Sequence, residues 1–178
     1  IAFLIIFNVS LYLLFKRNIN SHWQAKALLQ HQTEHDPLTK LPNRRYLVNH
    51  YQEWSASYSQ EHSLLYLDLN NFKACNDIYG HSVGDKILCS VADRFREFFT
   101  DSLCVRQGGD EFIILSPVTN ESVLLQKCEE FSKGLAKTIH IEQLEFSIFA
   151  SMGISFAPND GETLDELLRK ADMAMYEA

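Results

Sequence analysis

Three carboxylates in this chain sit where carboxylates do chemistry. Asp68 lies near the end of an apolar run, Ser63 to Leu69, and Asp110-Glu111 follow directly after the dipeptide Gly108-Gly109. If the glycine turn lies beside that run, the acids converge at one edge of a sheet. Acids gathered that closely repel one another unless a cation sits between them, and hard oxygen ligands suit magnesium. Magnesium held by one or two carboxylates keeps its other positions for water and phosphate oxygens. Glycines beside it let a nucleotide approach the backbone with no Cβ in the way. Lys73 and Arg106 are nearby positive charges that could meet phosphates. Metal-assisted phosphoryl transfer is the chemistry that suits these residue types. Singly, each feature is ordinary: a Gly-Gly pair is usually only a turn, a strand-end Asp a turn former, Arg106 a solvated strand residue. The conjunction carries the weight.

The elements that must position these residues follow from periodicity and caps. Pro37 and Pro42 punctuate a loop, after which Asn43 caps a helix running to about Ser57. Ser63–Leu69 reads as a strand. Lys86 to Phe98 shows helical spacing in Ile87, Leu88, Val91, Ala92 and Phe95. Leu103–Gln107 and Asp110–Leu115 read as two strands, with Gly108 and Gly109 as the central residues of a tight hairpin. Glu121–Lys137 is a helix, Leu144–Ala157 holds one or two strands, and Thr163–Ala178 is a helix begun by an acidic turn. Helix, strand, helix, hairpin, helix, strand, helix implies an α+β fold, a ferredoxin-like or polymerase-palm-like antiparallel sheet flanked by helices.

The chain of 178 residues has room for one ordinary domain and a short appendage. A hydrophobic content of 46% with 22% charged residues is that of a globular protein with a real core. The net charge of -7 gives no general pull toward nucleic acid, so a phosphate ligand needs a local site. Cys75, Cys89, Cys104 and Cys128 form no CxxC pair and read as free thiols in a reducing compartment. Residues 1–17 are nearly continuous apolar sequence closed by Lys16-Arg17. That run is shorter than the roughly 20 apolar residues of a full span, and it reads as a truncated transmembrane segment. Its flanking charges favour a cytoplasmic position for the residues C-terminal to them. Residues 18–35 read as a polar helical linker, and residues 36–178 as the domain.

Four blocks then resemble one known family. Arg106-Gln107-Gly108-Gly109-Asp110-Glu111-Phe112 reproduces the RxGGDEF signature of the diguanylate cyclases. Asp36 to Arg45 (DPLTKLPNRR) is similar to their DxLTxLxNR entry motif. Asp68 to Asp85 (DLNNFKACNDIYGHSVGD) resembles their D-x-D-x-F-K-x-x-N-D-x-x-G-H-x-x-G-D block. Ser151-Met-Gly-Ile and Ala171 to Tyr176 match their closing strand and helix. The resemblance covers residues 36–178 in the right order, which makes it far more specific than any one short motif.

That resemblance implies the condensation of two GTP into cyclic di-GMP by a homodimer, with magnesium, or manganese in its place, as the cofactor. It implies that Asp68, the carbonyl of Leu69, and Asp110 hold the metal. Asp110 or Glu111 would take the proton of the attacking 3′-hydroxyl, and Lys73 would stabilise charge on the triphosphate. Asn76 and Asp85 would read guanine, with His81, Phe72, Gly108 and Gly109 in the same substrate region. A carboxylate accepts from guanine N1–H and its exocyclic amine together, a pair adenine does not offer. The bland alternative for Asn76 and Asp85 is a loop cap and a helix-start charge. For His81 it is a structural histidine.

Three departures from the family pattern stand out. Asn70 replaces a second acid. The window of the inhibitory RxxD product site reads Phe99-Thr-Asp-Ser102, which implies no feedback through that site. The family continues beyond Ala178 with a Lys and an Arg that contact phosphates. The resemblance also implies a bacterial inner (cytoplasmic) membrane location with the domain facing the cytoplasm, and sensor or phosphodiesterase domains attached elsewhere. The rival expectation is a module that binds GTP without cyclising it and regulates such a partner domain.

Overall fold

The computed structural model describes residues 33–58 and 60–177, together with Lys16. The expected membrane segment and linker fall outside the described residues, apart from Lys16 and residues 33–35. No helix among the described residues is long and apolar enough to cross a membrane.

The apolar run reaches from His62 to Leu69 (β1) and is buried along nearly its whole length. It is buried because it is one of the two inner strands of a four-stranded sheet. On one side it pairs with Glu111–Ser116 (β3), which carries Leu103–Gly108 (β2) at the outer edge. On the other side it pairs with Ala150–Ala157 (β6), giving the order β2-β3-β1-β6 with every neighbouring pair antiparallel. Side chains alternate across the sheet. Leu65, Leu67 and Leu69 pack on one face against His81–Phe98 (α3) and Glu121–Leu135 (α4), through Ile87, Phe95, Leu124 and Phe131. Leu64 and Tyr66 pack on the other against Arg44–Ser57 (α1) and Leu164–Glu177 (α5), through Leu47, Tyr51, Leu167 and Ala171. Both faces are thus covered by helices, and the α+β palm-like class is observed.

Asn43 does cap α1, its Oδ1 accepting the Tyr46 N–H at 3.1 Å. Asn120 does the same for α4, accepting from Val123 N–H at 3.0 Å. Four expectations need correction. The stretch after β1 is not a loop: Phe72–Tyr79 is a helix (α2), and α3 begins at His81, five residues before the apolar spacing shows it. One helix breaks into two at Gly80, whose φ of +84° no helix continues through. The hairpin turn is centred on Gly109 and Asp110, because Gly108 already pairs with Glu111 across a register shift after Arg106. Asp110 therefore sits in the turn rather than on the strand. Finally, Ile139–Ile141 (β4) and Leu144–Phe146 (β5) form a separate two-stranded sheet.

The face between β6 and α5 is packed to contact. A Cβ placed on Gly153 would lie 1.9 Å from the Ala171 carbonyl oxygen, which is main chain and cannot step aside. Gly153→Ala should therefore destabilise the domain by about 2 kcal/mol, as overpacking does. Urea unfolding would check it, an unchanged midpoint contradicting the close packing.

Candidate active site

The register of β1 decides which side chains meet. Asp68 pairs with Glu111 on β3 and with Ser151 on β6. Directly opposed residues hold their Cβ atoms about 5 Å apart, and like charges there are destabilising. Asp110 joins them from the turn, its carbonyl accepting the Leu69 N–H at 3.2 Å. The acids therefore gather at one end of the sheet, as their spacing in the sequence suggests. The crowding shows in Asp68, whose carboxyl is pushed above the usual carboxylate range by burial, then by Asp110, then by Glu111.

No group of three or more His, Cys, Asp or Glu among the described residues is arranged to hold a metal ion by itself. Magnesium does not need one, since one or two carboxylates plus substrate oxygens suffice. Asp68, Asp110 and the Leu69 backbone at this edge are a donor set of that kind. Asn70 is tied to β6: its Oδ1 accepts from Ser151 Oγ at 2.9 Å and its backbone N–H donates to the Phe149 carbonyl at 2.9 Å. The acid missing at position 70 thus removes charge near the edge while the side chain there holds β1 to the start of β6.

Arg106 does not extend toward a phosphate site. Its Nη1 donates to Asp36 Oδ1 at 2.9 Å, while Nε and Nη2 donate to the Gly109 carbonyl at 3.1 and 2.7 Å. Asp36 Oδ1 also accepts from Thr39 N and Thr39 Oγ1, both at 2.7 Å. The Arg106 N–H donates to the Pro42 carbonyl at 2.9 Å. One guanidinium therefore clamps the entry loop to the turn that carries Asp110. From beneath, Phe112 anchors the same turn: it is 1% exposed and lies 4.9 Å from the Phe95 ring.

On the other flank, α2 and α3 present the expected substrate residues. Lys73 is exposed in the first turn of α2, and His81 and Asp85 are exposed on the first turns of α3. Phe72 places its ring in the core instead. Gly84 of α3 faces Asn76 of α2 so closely that a Cβ there would lie 1.9 Å from Asn76 Oδ1. That oxygen is buried without a hydrogen-bond partner, a costly state for an amide unless a ligand donor completes it. Gly108 and Gly109 are exposed beside Asp110.

Reading the chain by motif passes over Tyr66. Burial first, then the charge of Glu111, push its hydroxyl up to about 12. The available signal was its place two residues before Asp68, on the same face of the strand.

The crowding at Asp68 has a consequence for stability. A carboxyl whose folded pKa is raised adds stability while protonated, and loses it as pH rises through that pKa. In metal-free protein at neutral pH, Asp68→Asn should therefore unfold at a higher urea concentration than the wild type. The gain should vanish below the ordinary value of 3.8, where the acid is protonated in both states. A variant less stable than wild type at neutral pH would contradict the crowding.

Comparison with known proteins agrees with this geometry. The family model described as "Diguanylate cyclase, GGDEF domain" matches residues 33–178. The bifunctional diguanylate cyclase/cyclic di-GMP phosphodiesterase MucR of Pseudomonas aeruginosa is 38% identical over 148 residues, 81% of this chain and 22% of MucR. The diguanylate cyclase DgcM of Escherichia coli K12 is 32% identical over 182 residues, 97% of this chain and 42% of DgcM. The chain thus spans less than half the length of either relative. A sensory box/GGDEF family protein from Caulobacter crescentus superposes with a TM-score of 0.73 at 33% identity, covering 82% of this chain and 97% of that one. With its signature turn, its paired acids and its palm-like sheet, the chain belongs to the GGDEF domain family of diguanylate cyclases.

Proposed function

We propose that this domain, within a longer protein and as a homodimer, condenses two GTP into cyclic di-GMP and releases pyrophosphate. The observation that carries the reading is the crowding of Asp68, Glu111 and Asp110 at one sheet edge, which a divalent cation relieves. Asp68, the Leu69 carbonyl and Asp110 would hold magnesium or manganese. The bound ion would supply charge neutralisation on the triphosphate.

The chain's own residues supply the rest. Lys73 places a positive charge at the start of α2 for the triphosphate. Gly108 and Gly109 leave room along the turn, and the Phe72 ring fixes the base of α2 in the core. Asn76 Oδ1, buried and unpaired, accepts from guanine, and Asp85, one residue beyond the Gly84 that touches Asn76, accepts from its N1–H and amine. His81 lies one turn from Asp85 on α3. Each 3′-oxygen attacks the α-phosphorus of the other nucleotide as its proton passes to Asp110 or Glu111. A P–O bond forms, and the bond to pyrophosphate breaks. One domain offers one nucleotide site, so two copies must face each other, and alignment supplies much of the rate effect.

The apolar stretch before Lys16-Arg17 supports a place at the inner membrane of a bacterium with the domain on the cytoplasmic side. The length of MucR beyond the matched region supports further domains, a phosphodiesterase or a sensor among them. Phe99 is 1% exposed in the core, where an inhibitory product site would need an arginine, which supports activity without feedback there.

The deciding experiment incubates the longer protein with GTP and Mg²⁺ and looks for cyclic dinucleotide and pyrophosphate. Asp110→Ala should lower turnover at least about a hundredfold, the order expected when an electrostatic group of the site is lost. Tight GTP binding without product would favour a regulatory module. Gly84→Ala displaces the Asn76 amide and presses on the Phe72 ring, so with urea unfolding checked alongside it should bind GTP about tenfold more weakly for the lost hydrogen bond. Isothermal titration would read that loss, and unchanged affinity would remove Asn76 from the guanine site.

A further inference from the structure

Helix α2 has little of its own to fix its direction. It is eight residues long, its N-cap makes no side-chain hydrogen bond, and it buries only Phe72. A helix that short is marginal in water and takes its orientation from what packs against it. Gly80, at φ +84°, separates it from α3. A glycine there puts no side chain in the way of a change in the angle between the two helices. Yet the proposed guanine groups are divided across that break, Asn76 on α2 and Asp85 on α3. Gly84 touches Asn76 along the length of the pair, and the end of α2 is held from outside it.

The outside support is the β4–β5 hairpin. Ile139 and Ile141 anchor it in the core, 6% and 5% exposed. Phe146 pairs with Ile139 across the hairpin, and its ring meets Tyr79 edge to face with centroids 5.2 Å apart. Tyr79 is the last residue of α2, three after Asn76, so the two are neighbours on one side of the helix. The turn of the same hairpin carries Glu142, whose carboxylate accepts from Lys86 Nζ. Lys86 directly follows Asp85 on α3. That ion pair is exposed at both ends and adds little stability by itself, so the ring contact carries most of the hold. One hairpin therefore touches both helices, each time close to the residue that the helix offers to guanine. We propose that the β4–β5 hairpin is a brace across the Gly80 break. Tyr79 and Phe146 are its positioning residues, setting Asn76 against Asp85 and with them the discrimination for guanine. This role rests on the guanine reading of those two residues.

The test uses the longer protein, a non-hydrolysable GTP analogue, and its inosine counterpart, which lacks the exocyclic amine. Isothermal titration with Mg²⁺ reads both affinities. Wild type should favour the guanosine form. Tyr79→Ala should weaken that form about tenfold, the order of one lost hydrogen bond to a charged group, and the inosine form much less. Tyr79→Phe keeps the ring and should bind as wild type does. So should Ile78→Ala, at the exposed residue beside Tyr79 on α2. Phe146→Leu keeps an apolar side chain opposite Ile139 and should repeat the loss. The double variant should lose no more than either single one, because the two rings act as a pair. Tyr79 is 46% exposed, so urea unfolding of Tyr79→Ala should stay close to wild type. Discrimination left intact in Tyr79→Ala and Phe146→Leu overturns the brace alone, as does an equal loss for both nucleotides. A wild type with no preference for the guanosine form overturns the guanine reading of Asn76 and Asp85, and this role with it.

Discussion

Burial of β1 on both faces is the constraint from which the rest of the domain follows. Leucines on one side of the strand reach α3 and α4, while Leu64 and Tyr66 on the other reach α1 and α5. A slip of one residue would exchange those faces and carry every apolar side chain to the wrong layer. The register is therefore held by the whole core, and Asp68, one residue from the end of the strand, inherits it. Its position opposite Glu111 is maintained by hydrophobic packing several residues away.

That arrangement forces like charges together, which the fold must offset locally. It does so with connections that hold the turn rather than with opposite charges among the acids. Arg106 grips the Gly109 carbonyl and Asp36, Phe112 inserts into the phenylalanine cluster around Phe95 and Phe131, and the Leu69 N–H reaches the Asp110 carbonyl. Asp68 is left with a raised pKa and Asn76 with an unpaired buried oxygen. Such unsatisfied groups are costs a domain accepts where a ligand completes them, and perturbed acids gather at functional sites for that reason. The two lie on opposite flanks of one edge, where the phosphate and base ends of a nucleotide would be held.

The Asp36–Arg106 ion pair also ties the entry loop to the turn that bears Asp110. The same loop receives the Arg96 guanidinium at the Thr39 carbonyl and sends the Pro42 carbonyl to the Arg106 N–H. Movement of residues 36–43 would therefore be felt at the hairpin as well as in the core, where Leu41 is buried. The site residues on α2 and α3 are held differently, by the close seating of Gly84 against Asn76 and Phe72. Two separate supports thus hold the proposed site, one from the entry loop and one from the helix pair.

Much of this was legible in the order of residues. The helix cap at Asn43, the apolar run of β1, the spacing of α3 after Lys86, and the acids flanking a glycine turn all announce themselves, because caps, periodicity and turn chemistry act over a few residues. Helix α2 did not, because it buries only Phe72 and its N-cap makes no side-chain hydrogen bond, so neither an apolar stripe nor a cap was there to read. The true centre of the hairpin, Gly109-Asp110, depended on the register shift after Arg106. Arg106 looked like a phosphate ligand because charge and proximity in sequence say nothing of a partner 70 residues away. Local residue chemistry pointed to the groups proposed for a metal and a purine nucleotide. Only the packed sheet decided which of them face one another, since long-range pairing sets direction and sets Asp68 opposite Glu111.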